Sequence, residues 1–186
     1  MLHKLLIDVM DTRKMSFEMF LNAIHYSMFH LLLYFHIKFG NLIIKLTPSK
    51  YKKKVENNIK KSEYRLYLDP KKGFAINTIH FHFGYISSGY FAFFSFVLLG
   101  IKQKTQLSSM GNLDIILIAL PIVIGFTPVY LYVLKNDRYL IFYKLFETRG
   151  SKWHKKWQRI TILYCIFSIL AMACGIFVMD YIIKGV

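Results

Sequence analysis

Acidic residues are scarce in this chain: ten Asp and Glu stand against twenty-five Lys and Arg among 186 residues, a formal net charge of +15. Charged residues make up 19% of the total, below the roughly 25% of an ordinary soluble domain, and they are gathered into a few segments. Cysteine is nearly missing. Cys165 and Cys174 lie nine residues apart in one apolar run, too far apart along a helix to bridge. That excludes a disulfide-stapled module and leaves both as small buried hydrophobes. Internal repeats and low-complexity tracts are absent, and the composition fits neither collagen nor a disordered chain. The usual marks of catalysis are missing too: no paired-carboxylate cleft, His-Glu-x-x-His, Gly-rich phosphate loop, nucleophile elbow or His-x4-Asp. His80 and His82 are two apart and point to different sides of a helix, so no metal site is read, and no cofactor is expected.

What the chain does have is apolar and aromatic surface. Apolar residues reach 55%, with 17 Phe and 13 Tyr. A helix needs about 20 mainly apolar residues to cross the hydrocarbon core, and four stretches qualify: Phe17–Leu46, 74–101, 113–134 and 160–183. The expected fold is an all-α integral membrane protein, a single membrane domain over 1–186. About four transmembrane helices are joined by short basic helical segments. The first stretch holds internal His and Asn and lacks a small-residue cleavage site, so it reads as a span rather than a signal peptide.

Charge sets the expected orientation. Segment 47–73 holds nine Lys/Arg, including Lys52, Lys53, Lys54, Lys60 and Lys61, before Asp69-Pro70-Lys71-Lys72-Gly73 closes it as a turn. Segment 135–159 holds eight, including Lys152, Lys155 and Lys156, while the three other exposed segments share six. Because Lys and Arg collect on the cytoplasmic side, both basic segments belong there and both termini fall outside. The polarity of the first stretch leaves a second placement open, along the interface with the N-terminus inside. Trp153 and Trp157 suit an aromatic anchor at the cytoplasmic headgroups. Residues 138–146 read as a prolongation of the third helix that Gly150 stops.

Three faces carry information. In the first stretch Asn22, Tyr26, His30, Tyr34, Lys38 and Asn41 continue a polar row from Glu18 to Lys45, with His25 beside it. Steps of four drift about 40° each, so the row winds partly round the helix. Polar groups in hydrocarbon must be paired or wetted; packing inside a bundle and lining an aqueous path are equally open readings. In the second stretch Gly84, Ser88 and Ala92 form a small-residue seam, and Ala171 with Gly175 forms another in the fourth; both let helices approach closely, the first as a candidate subunit contact. Pro121 and Pro128 bend the third stretch. Glu18, Asp114 and Asp180 mark span ends, all at the outer mouth in the four-span topology, where a closed oligomer would repeat them as cation-attracting rings.

One short pattern remains. Arg149-Gly150-Ser151-Lys152-Trp153-His154 is an Arg-x4-His, the signature of HEPN ribonucleases. Together with a small multi-span layout and basic cytoplasmic segments, it resembles the membrane accessory protein of type VI-B CRISPR systems, a divergent HEPN family. The resemblance implies a homo-oligomeric inner-membrane pore of bacteria that depolarises infected cells, in concert with an RNA-guided ribonuclease. Only Arg149 and His154 carry over, in a structural or gating role rather than RNA cleavage. Two rivals stand beside the pore. One is a non-conducting anchor whose basic segments recruit a soluble protein, RNA or anionic lipid; the other is a membrane-tethered ribonuclease using Arg149 and His154.

Overall fold

Ser16 opens the first helix as an N-cap, its hydroxyl oxygen accepting the Met19 N–H at 3.1 Å. The computed structural model describes residues 16–62, 69–71, 73–105 and 111–185. Its regular elements are helices: α1 (Phe17–Leu46), α2 (Ser49–Ser62), α3 (Phe74–Lys104), α4 (Gly111–Val129), α5 (Arg138–Glu147) and α6 (Ser151–Lys184). A π-helical turn, Tyr130–Leu134, and a 3-10 turn, Lys135–Asp137, lie between α4 and α5. Four helical stretches are long and apolar enough to cross a membrane. The expected turn forms, Asp69 accepting the Lys71 N–H at 2.8 Å through Oδ1 and the Gly73 N–H at 2.8 Å through its carbonyl.

Helices α3, α4 and α6 lie side by side along their length, and small residues set their spacing. A Cβ on Gly84 would clash with the tip of the Phe126 ring; one on Gly125 would come 2.5 Å from the Ser88 backbone. Ser88 itself bonds the Gly84 carbonyl at 2.8 Å. On the other side of α3, a Cβ on Gly175 would lie 2.8 Å from Phe93 Cα, and Gly100 faces Met179. The order of these contacts makes α3 and α6 parallel and α4 antiparallel to both. The Gly84–Ser88 seam is therefore filled by α4 of the same chain rather than left for a neighbouring subunit, and Gly175 is filled by α3. Ala92 and Ala171 are half-buried beside these contacts.

At the end where α3 and α6 begin, packing changes character. Leu21, Ile24, Met28 and Phe29 of α1 join Ile76, Ile79 and Phe83 of α3, Tyr139, Tyr143 and Phe146 of α5, and Trp157 of α6 in one buried cluster. Trp157 is buried in this core, and the half-buried Trp153 packs against it, stacking on Phe146 at 4.8 Å. Helix α6 already starts at Ser151, so Lys152, Lys155 and Lys156 ride on its first turns.

Helix α1 joins this end with its N-terminal half alone. Phe20 meets Trp157 and Tyr164, and six residues on Tyr26 meets Trp153 and His154, so α1 runs antiparallel to α6 and out past its start. Residues 21–29 are all buried, whereas Tyr34, Phe35, Ile37, Phe39, Leu42, Ile43 and Leu46 are exposed. Glu18 sits on Arg138 at 3.1 Å, while Asp114 pairs with Lys102 and Asp180 with Lys184 at the far end. The three acids do not share a mouth; Glu18 belongs to the basic end.

The third stretch does not continue into α5. Pro128 has no N–H to give, the helix widens into the π turn, and Asn136 and Asp137 both take left-handed φ, 60° and 53°. Asn and Asp enter that region more readily than other side-chain-bearing residues, and the reversal lays α5 against α1. Gly150 is extended (φ −71°, ψ 160°) and serves as the N-cap of α6, not as a left-handed stop. Gly125→Ala should lower stability by about 1–3 kcal/mol through overpacking, read as a drop of several degrees in thermal unfolding in detergent. Gly150→Ser, with nothing near its Cβ and a preferred N-cap residue in place, should leave the midpoint unchanged or slightly raised.

Candidate functional site

The polar residues Asn22 and His25 of α1 fall in the core, where each makes hydrogen bonds to particular neighbours while Asn22 Oδ1 and His25 Nε2 stay buried without a partner. Asn22, 0% exposed, donates through Nδ2 to its own helix at the Glu18 carbonyl, 2.9 Å, and to the Tyr132 carbonyl, 3.0 Å. Tyr132 lies in the last turn before the reversal, where helix carbonyls run out of N–H partners; Asn22 closes that end. His25, also 0% exposed, meets the Tyr143 hydroxyl at 3.1 Å through Nδ1. The His25 ring stacks on His80 at 5.1 Å, and the Tyr139 ring packs edge-on against both imidazoles. Tyr139 in turn donates to the Pro70 carbonyl at 3.1 Å, fastening the turn before α3 to α5. The Nε2 atoms of His25 and His80 are buried without hydrogen-bond partners.

This arrangement divides the polar row of α1. Asn22, His25 and Tyr26 are enclosed by α3, α5 and α6 of their own chain and are packing groups there. His30 is half-buried, and Tyr34, Lys38 and Asn41 are exposed. Only this second part of the row is open to water, lipid or another molecule.

Beside the cluster is a cleft of about 240 Å³ lined by Tyr26, Ser27, His30, His154 and Gln158. His154 lies 2.9 Å from the Arg149 carbonyl through Nε2. A carbonyl only accepts, so Nε2 carries the proton, and the ring fastens the α5–α6 turn to the first turn of α6. The Arg-x4-His spacing is thus a local fastening, with one imidazole face turned to Tyr26. Lys152, Lys155 and Lys156 are exposed on the first turns of α6, and Lys52, Lys53 and Lys54 are exposed on α2, beyond the far end of α1; Lys60 and Lys61 also belong to α2. Among the described residues no cluster of three or more His, Cys, Asp or Glu could hold a metal.

Sequence reasoning set aside His80 and His82 as a metal pair and missed Tyr139 and Tyr143. The signal was present: Tyr139, Tyr143 and Phe146 stand at i, i+4 and i+7, one face of a helix. No family model matches the chain, and comparison with curated proteins and with solved structures returned no match.

Tyr143→Phe removes the hydroxyl that pairs with His25, and Asn22→Ala removes the donor to Tyr132. Each should cost about 1–3 kcal/mol, the penalty for an unpaired buried polar group. Hydrogen exchange should then rise in α5 and in residues 21–29, and remain unchanged at the Lys102–Asp114 end; uniform loosening of all helices would contradict the assignment.

Proposed function

We propose that this is a multi-pass membrane protein whose basic end is a docking platform for a polyanionic partner. What carries the reading is the split of polarity just described. The buried polar side chains of α1 are taken up in holding α1, α3 and α5 together, whereas Lys52, Lys53 and Lys54 of α2 and Lys152, Lys155 and Lys156 at the α6 start are exposed. Phosphate-rich partners respond to such clusters through charge neutralisation and counterion release, with little demand on geometry. RNA is one polyanion that such a surface would recruit, and an acidic protein surface is another. Arg149 and His154 are read as holding the α5–α6 turn, not as cutting RNA.

A second reading, the homo-oligomeric pore, has its own observation in Tyr34, Lys38 and Asn41. Copies arranged with these exposed groups around an axis would offer water a polar wall. The two readings part on one set of measurements with the full chain in liposomes. With Lys52→Glu, Lys53→Glu and Lys54→Glu together, a platform loses affinity for an RNA oligonucleotide about tenfold or more, with a shallower salt dependence. A pore leaks ions from liposomes with or without the triple substitution. Ion leak together with unaltered RNA affinity would overturn the platform and favour the pore; RNA degradation abolished by Arg149→Ala would overturn both.

A further inference from the structure

The exposed half of α1 carries two adjacent stripes of different chemistry. Phe35, Phe39, Leu42 and Leu46 follow at i, i+4, i+7 and i+11, within a narrow band of the helix. Tyr34, Lys38, Asn41 and Lys45 repeat the same spacing one residue earlier, about 100° round the surface. The apolar stripe is bare, Phe39 being 64% and Leu46 76% exposed, and residues 31–46 extend about 24 Å at 1.5 Å per residue. Beside it lies a groove of about 530 Å³, lined among the described residues by Phe35, Phe39 and Leu42 and by Lys38, Asn41 and Lys45. The Lys38 ammonium stands 5.1 Å from the centre of the Tyr34 ring.

We propose that this groove is a binding site for an anionic phospholipid. An acyl chain lies along Phe35, Phe39 and Leu42, and the headgroup phosphate sits on the row formed by Lys38, Asn41 and Lys45. Both halves of the ligand are called for by the lining. A free phosphate would leave the Phe and Leu floor in water, and a zwitterionic lipid would leave two lysines facing its own ammonium. Aromatic and aliphatic residues on one side with Lys on the next is the pattern of helices lying at an anionic membrane surface. The neighbouring α2 extends the same positive sign: Lys50, Lys52, Lys53 and Lys54 precede the one acid of that helix, Glu56. The site rests on the chain being membrane-bound but not on a docked partner or a pore, whose tests above read different residues.

The full-length protein, purified in detergent and stripped of lipid, is titrated with dioleoyl-phosphatidylglycerol or dioleoyl-phosphatidylcholine while native mass spectrometry counts bound lipid. The site predicts tighter retention of phosphatidylglycerol and about a tenfold loss of that preference in Lys38→Gln with Lys45→Gln. Lys38→Arg with Lys45→Arg should restore it, while Lys52→Gln, Lys53→Gln and Lys54→Gln together should change it less than threefold. Phe39→Ser should weaken both lipids. Equal retention of the two lipids, indifference to the Lys38 and Lys45 substitutions, or full displacement by inorganic phosphate would each overturn the proposal. Because both lysines are exposed, the glutamine variant should keep the wild-type melting midpoint, and the arginine pair separates loss of charge from loss of fold.

Discussion

The insertion of residues 21–29 between α3, α5 and α6 is the constraint on which the rest of the architecture depends. Those residues supply six of the buried hydrophobic side chains of the core, and the inner faces of α5 and of the α6 start close over them. Insertion also buries Asn22 and His25, which is tolerable only because each finds a partner. The Tyr132 carbonyl is available to Asn22 because the helix ends there, and Tyr143 reaches His25 because the chain reverses at Asn136 and Asp137. A kink that looks like an interruption of the third stretch is thus what makes the polar residues of the first one affordable.

The molecule is assembled by two kinds of packing. Over most of the length of α3, α4 and α6, contact comes from glycine and serine meeting backbone or ring atoms, while their outer surfaces stay apolar and exposed. Small residues of this kind are how helices associate where no hydrophobic gain is available from lipid. At the basic end, large aromatic side chains interdigitate as in the interior of a water-soluble domain. The boundary between the two regimes runs near Phe83 and Tyr164, where the Ser87 and Tyr164 hydroxyls meet at 3.0 Å.

Much of this was legible in the chain. The four long apolar stretches appear as helices, with the first ending at the anticipated residues, and the small-residue rows mark contacts that form. Their partners were not legible, because Gly84 specifies close approach but not whose backbone approaches; Phe126 and Gly125 of the same chain do. The polar row of α1 showed that water or neighbours must satisfy it, yet periodicity cannot say that the row changes surroundings halfway along. The reversal at Asn136–Asp137 was missed because apolar periodicity resumes at once in α5, and two left-handed residues leave little trace in a hydropathy pattern. Glu18 was assigned to the wrong end for the same reason: an up-and-down sequence of spans gives the first helix a full crossing, whereas its contacts place it beside Arg138.

Helices α4 and α6 differ in mechanical character. The latter is an unbroken rod of 34 residues, about 51 Å long, pinned at one end by Trp157 in the core and free of proline throughout. The former is softened by Pro121, Pro128 and the π turn. Helix α6 packs on α3 along its length, from Ser168 against Gly89 to Met179 against Gly100, so these two straight helices form one unit and the bends fall in α4 alone. The bundle thus pairs one continuous strut with one broken by proline and the π turn.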